Sequence, residues 1–195
     1  SLHKAPKGHP KPVDGYLVTE HEGDFTIAAR KAVHAVYESA VRRGMATEPV
    51  VAGFDLSERT GQDSGLAGQS GGLSFAVAFA KQLFSQDPGN VAATGVVEAG
   101  GRIGPVRGIE TKIRTAAGRV NEGGVILFPA RNLDDLSEEL INELRREHIR
   151  YLPVDDLEEV FDALFRFEPP GRERDVRKTV WIVLLLVIGC ATAFV

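Results

Sequence analysis

The chain has 195 residues, 43% of them hydrophobic, which suits one ordinary domain with enough apolar material to bury a core. With 27 acidic against 23 basic residues its formal net charge is −4, so the composition asks for no nucleic-acid partner. Its single cysteine, Cys190, excludes an internal disulfide and fits a reducing compartment.

Residues 1–12, "SLHKAPKGHPKP", are polar, basic and rich in proline, and read as a linker or the end of a truncated connection. The domain proper is expected over 13–167. Within it Ala29, Val33, Val36, Tyr37, Ala40 and Val41 recur at helical spacing until Gly44 ends the run. "PVVAGFDL" reads as a strand, and "SERTGQDSGLAGQ" as a polar, glycine-rich loop that leads into "GQSGGLSFAVAFAKQL". From Phe75 to Phe84 that stretch is apolar nearly all round, which predicts a helix buried on most sides. "VAATGVV", a Gly100-Gly101 turn and "RIGPV" predict a hairpin. There follow a helix over 109–120, the strand "GVILFP", a helix over 133–148, the strand "IRYLPV" and a helix started by Asp155 with Glu158 three positions on. Helices alternating with strands, one pair of which forms a hairpin, make an α/β domain with a mixed sheet and packed helices.

After the domain, 168–178 carries two prolines and then Arg172, Arg174, Arg177 and Lys178, a basic juxtamembrane linker. The segment 179–195, "TVWIVLLLVIGCATAFV", has no charge and, at about 1.5 Å per residue, is long enough to cross a thin hydrocarbon core as a transmembrane helix. By the positive-inside tendency the basic linker stays cytoplasmic, which predicts a single-pass protein of the cell membrane with its domain in the cytoplasm.

Ser70 admits three readings. As structure, a serine before an apolar run caps a helix. As "GQSGG", it fits G-x-S-x-G, the nucleophile elbow of α/β-hydrolase esterases; Asp134 and His148 would then complete a triad, although the elbow requires a strand running directly into the serine and here a polar loop precedes it. The third reading pairs Ser70 with a base other than histidine. After "GPVRG" the apolar stripe Ile109, Ile113, Ala116, Ala117 and Val120 has Lys112 on the same face. A lysine placed there either snorkels to water along the core or is partly desolvated, and desolvation disfavours the ammonium, as a proton acceptor for serine requires. His3, His9 and His21 lack ligand spacing, so no metal site is expected.

The stretch from 50 to 136 resembles the proteolytic domain of Lon proteases, a Ser-Lys dyad family. There the serine lies in a motif close to G-P-S-A-G, and the lysine ends a G-G-[IL]-x-x-K segment opening a helix. Here "GQSGG" surrounds Ser70, "VRGIETKIRTAAGRV" surrounds Lys112, and "GGVILFPARNLDDL" is similar to the family's next strand and loop. Gln69 and Gly71 stand for the motif's Pro and Ala, Arg107 for its first Gly, and Ala67 where many members carry an acid. The resemblance implies the α/β fold shared with the second domain of ribosomal protein S5, with Ser70 as nucleophile, Lys112 as base and Thr94 supporting the lysine. The backbone N–H groups of Ser70 and Gly71, at a helix start, would hold the oxyanion. It further implies protein or peptide substrates and a homo-oligomer, such as a hexameric ring. No G-x-x-x-x-G-K-[ST] occurs, so ATP would enter only through a separate or missing ATPase module. The expectation is a membrane-anchored serine endopeptidase. The alternative is a noncatalytic assembly or binding domain that keeps the fold.

Overall fold

A computed structural model describes residues 2–4, 16–18, 24–46, 50–53 and 68–167. The chain divides into two compact units, Ser1–Phe165 and Arg166–Val195, and every element named below lies in the first. The glycine-rich loop up to residue 67, His9, His21, the basic linker 168–178 and the span read over 179–195 lie outside the described residues. Among the described residues no helix is long and apolar enough to cross a membrane.

The first sheet joins β1 (Leu2–Lys4), β3 (Val50–Gly53) and β2 (Tyr16–Val18) in the order β1-β3-β2, antiparallel and then parallel. Its first strand falls inside the segment read as a linker. Between β2 and β3 runs α1 (Asp24–Arg42), with Asp24 in its first turn and Arg42 in its last, each favourable to the helix dipole. Its buried face is mostly small: Ala28, Ala29, Ala32, Val33, Val36 and Ala40. Such a face lets α2 (Gly72–Leu83) pack closely against it.

The second sheet is parallel, β4 (Val91–Ala93), β7 (Val125–Pro129) and β8 (Arg150–Val154), in the order β4-β7-β8. All five residues of β7 are buried, as expected of the central strand of a parallel sheet, and its sequence "VILFP" is correspondingly apolar throughout. The expected hairpin is smaller than the sequence suggested. "VAATGVV" breaks at Thr94-Gly95: its first half is β4 of the parallel sheet, and only β5 (Val96–Val97) pairs antiparallel with β6 (Ile103–Gly104). A run apolar on both faces carries no signal for where a strand changes partner.

On one face of this sheet α3 (Ile109–Ala117) and α4 (Glu138–Arg146) share a core in which Ile113, Ile126, Phe128, Leu140 and Leu144 are essentially inaccessible. The helix expected over 133–148 starts late. Residues Ala130–Asp135 form a 3-10 helix and Leu136 is extended, before Ser137 caps α4 by accepting the Leu140 N–H at 3.3 Å. Glu138 and Glu139 then fill the first turn, where acids suit the dipole.

The last helix, α5 (Leu157–Leu164), is capped one residue later than expected. Asp156 Oδ1 accepts the Glu159 N–H at 3.0 Å, and Glu159 Oε2 accepts the Asp155 N–H at 2.8 Å. The shift turns Leu157, Val160 and Phe161 into the core and leaves Glu158 for α1, where it accepts from Ser39 Oγ, from Arg43 Nε and, at 3.2 Å, from Arg42. Partial burial opposes ionisation of the Glu158 carboxyl, yet the Ser39 and Arg43 hydrogen bonds outweigh it and hold the group below the ordinary carboxylate range. A carboxylate whose folded value is depressed contributes stability above its unfolded pKa and loses it as pH falls through the folded one. The stabilisation of the wild type over Glu158→Gln is therefore expected to be present at pH 7, at under about 1 kcal/mol for a group only partly buried, to begin to fall near the ordinary glutamate pKa of about 4, and to be lost once pH drops through the depressed folded value. Thermal melts of both proteins from pH 7 to pH 3 check this; a gap that widens in acid contradicts it.

Candidate active site

Ser70 lies in a 3-10 helix, Gln69–Gly71, that runs directly into α2. Gly68 precedes it at φ 95°, a conformation that favours glycine. The preceding residues 54–67 lie outside the described residues. Ser70 is held by its backbone: its carbonyl accepts the Gly95 N–H at 2.8 Å and the Thr94 hydroxyl at 3.2 Å. The Gly95 carbonyl in turn accepts the Leu73 N–H at 3.0 Å, satisfying a donor of the first turn of α2. Thr94 continues β4 and donates its own N–H to Leu127 O of β7 at 3.0 Å. Thr94 thus bonds to the serine's backbone, whereas the sequence suggested that it orients the lysine.

The close approach at this junction depends on glycine. A Cβ on Gly72 would stand 2.9 Å from Val97 N and 3.3 Å from Gly95 O, both backbone atoms that cannot rotate away. Gly72→Ala is expected to cost about 1–3 kcal/mol and to push Ser70 out of line, with an activity loss on the order of tenfold to a hundredfold. Melts and cleavage rates on the variant check both; parental values for both contradict the account of the junction.

Lys112 stands in the first turn of α3, which follows Gly108 in the left-handed conformation at φ 62°. Its N–H bonds to Gly108 O at 3.2 Å, and its neighbours Ile109 and Ile113 are buried. The side chain is half-buried, and its Nζ donates to Ser70 Oγ at 3.3 Å, joining residues 42 positions apart. The lysine on the apolar stripe therefore does not snorkel away from the serine. A cavity of about 730 Å³ opens beside it, bounded by Ser74, Ala78 and Lys81 of α2, by Thr94, and by Lys112 and Arg119. The Ser74–Ala78 side of α2 faces this opening, so the helix is less enclosed than its composition predicted.

Ser70 and Gly71 occupy the first turn of their helix, where backbone N–H groups have no partner within the helix. Gln69 beside them accepts from Lys31 Nζ of α1 at 3.1 Å.

Residues 65–166 match the family described as the Lon protease (S16) C-terminal proteolytic domain. The chain belongs to this family. The Lon protease of Aquifex aeolicus (strain VF5) is 43% identical over 109 residues, which cover 54% of this chain and 13% of that protein. The chain therefore corresponds to a small part of the relative it matches, and its residues 65–166 are the proteolytic domain of a serine-type peptidase family. The mixed α/β architecture fits a Lon proteolytic domain.

The triad of an α/β-hydrolase is not assembled around Ser70. His148 sits at the amino end of β7, where its carbonyl takes the Gly123 N–H and its ring lies 3.6 Å from Glu122. Ser70 is tied through Thr94 to Leu127, four residues further along, about 13 Å at the rise of a strand. Asp134 is exposed in the 3-10 helix beyond the other end of β7.

Sequence reasoning passed over Asn132. It is a buried polar side chain in the 3-10 helix that follows a buried strand, and its side-chain bonds go to Val106, ahead of α3, and to Asp135 of its own helix. The signal available was a single asparagine in "FPARN", which reads equally well as ordinary loop composition.

Proposed function

We propose that this chain is a serine endopeptidase in which Ser70 is the nucleophile and Lys112 the general base. The observation that carries the reading is the 3.3 Å contact between Lys112 Nζ and Ser70 Oγ, in a Lon-family domain, beside a cavity that Lys112 and Thr94 line. Hydrogen bonds between catalytic groups are commonly long before substrate is bound. With the amine uncharged, the Ser70 O–H gives its proton to Nζ as Oγ attacks the scissile carbonyl, forming the tetrahedral adduct. The resulting ammonium returns that proton to the departing amine, leaving an acyl-serine that water, deprotonated by the same lysine, hydrolyses. Ser-Lys pairs are among the recognised variants of the serine triad, so neither histidine nor aspartate is required. The Ser70 and Gly71 N–H groups serve the oxyanion, where loss of one donor typically costs about a hundredfold or more.

On this reading substrates are unfolded proteins or peptides, and the domain assembles as a homo-oligomeric ring. Residues 179–195 tether it to the membrane, with the domain on the cytoplasmic side marked by Arg172, Arg174, Arg177 and Lys178. No cofactor takes part in the chemistry, and ATP-driven unfolding, where used, comes from another module. The test is casein hydrolysis by the full 195-residue chain. Fragments accumulating in proportion to folded enzyme are the expected result; a folded, assembled chain that leaves casein intact would favour the noncatalytic binding domain.

A further inference from the structure

Lys112 can meet Ser70 only if α3 starts in the right place; the buried Ile109 and the 2.8 Å hydrogen bond from Ser137 to Glu110 hold its first turn, but the residues just before it have no such anchor within the helix. It is nine residues long, shorter than a helix that is stable alone, and its N-cap, Gly108, offers no side-chain bond. The segment before it is instead gripped by Asn132. Oδ1 accepts the Val106 N–H at 2.9 Å, and Nδ2 donates to the Val106 carbonyl at 3.0 Å and to Asp135 Oδ2 at 2.7 Å.

Resting on the Ser70–Lys112 reading, we infer that Asn132 is a positioning residue for the dyad, setting the start of α3 and hence the reach of Lys112 to Ser70. A side chain that pairs both backbone groups of one residue fixes its rotation as well as its distance, as a neighbouring strand would. Asn132 is only 4% exposed, and a buried amide costs free energy unless it is bonded, so mere filling of this site would be served better by an apolar residue. Its place in the fold supplies the reason for the amide. Asn132 lies three residues beyond the end of β7, in the 3-10 helix that continues the strand, and β7 also carries, through Leu127, Thr94 and Gly95, the bonds that hold the Ser70 carbonyl. One strand therefore sets the position of both reacting side chains, by Thr94 and Gly95 on one side and by Asn132 on the other.

Aspartate keeps the shape of asparagine and the acceptor for Val106 N–H, but loses the donor and sets a second carboxylate against Asp135. For Asn132→Asp and Asn132→Leu in the full chain we expect kcat per folded molecule to fall on the order of tenfold to a hundredfold with KM unchanged. The rate at which a fluorophosphonate labels Ser70 should fall by the same factor. Val160→Ala, a core truncation in α5 away from the core around α3, serves as the control: it is expected to lower the melting temperature while leaving kcat and labelling per folded molecule as in the parent. A purely structural role would make the Asn132 variants behave like this control and would overturn the inference. If both Asn132 variants fail to fold, Asp135→Ala decides: Asp135 is exposed, so its loss is expected to leave the fold intact while removing the acceptor that holds the Asn132 amide in place. A severalfold drop in kcat supports the inference, and a parental kcat overturns it. Lys112→Gln is run beside them: if it too cleaves at the parental rate, the dyad reading itself has failed, whereas inactive Lys112→Gln with parental Asn132→Asp defeats the positioning role alone.

Discussion

Lys112→Arg is expected to abolish casein cleavage, by at least about a thousandfold, although it keeps the positive charge. In the proposed mechanism the lysine accepts the Ser70 proton across the 3.3 Å contact and then returns it, and a guanidinium does not deprotonate in this range. A fold defect does not explain the loss in advance. Lys112 is half-buried beside an open cavity, so a longer basic side chain has room to extend along the surface. Circular dichroism and melting of the variant should match the parent while cleavage is gone. Cleavage at the parental rate would show that the contact is a surface hydrogen bond and that Ser70 is activated, if at all, by something else.

Ser70→Ala is expected to have an equal or larger effect on cleavage and almost none on stability. In subtilisin, loss of the nucleophile alone costs about as much as loss of the whole triad, on the order of a millionfold in kcat, and among the described residues the nearby Ser74 and Thr94 hydroxyls are bound to the Ala93 and Ser70 carbonyls rather than to Lys112. Stability is spared because Ser70 is anchored through its main chain. Gly95 and Thr94 donate to its carbonyl, and neither bond involves Oγ. The side chain gives up one hydrogen bond, to Lys112, whose amine then reaches water in the cavity. The two variants thus separate chemistry from folding: both should melt like the parent, and neither should cleave.

The residues alone left this site open. Lys112 on an apolar stripe reads as a snorkelling lysine as well as a desolvated one, and Ser70 before an apolar run reads as a helix cap as well as a nucleophile; the family resemblance singled them out as a pair. Their meeting was not legible from period or composition, because it depends on the parallel pairing of β4 with β7, a contact between distant segments. The same tertiary dependence explains the misplaced hairpin, since "VAATGVV" divides where Thr94 and Gly95 turn from β7 toward Ser70. The caps of α4 and α5 shifted for a local reason: Ser137 and Asp156 won over earlier candidates because those starts aim Leu140 and Leu157 at the core.

The architecture gives β7 a central part. It is buried throughout, fixes Ser70 through the end of β4, and runs into the loop whose asparagine grips the start of α3. On the proposed reading, alignment of nucleophile and base is built from backbone bonds of a packed sheet together with the Thr94 hydroxyl and the buried Asn132 amide, and not from side-chain contacts at the surface. Such a frame suits a reaction in which a misplacement of about 1 Å can cost a hundredfold.

The most direct measurement is the site and rate of fluorophosphonate labelling on the full chain, read by peptide mass analysis, in the parent and in Lys112→Arg at equal folded concentration. The account predicts a single adduct, on Ser70, that forms in the parent and is slowed on the order of a thousandfold in the variant. An adduct on a different serine, or Ser70 labelled equally fast in both proteins, would contradict it.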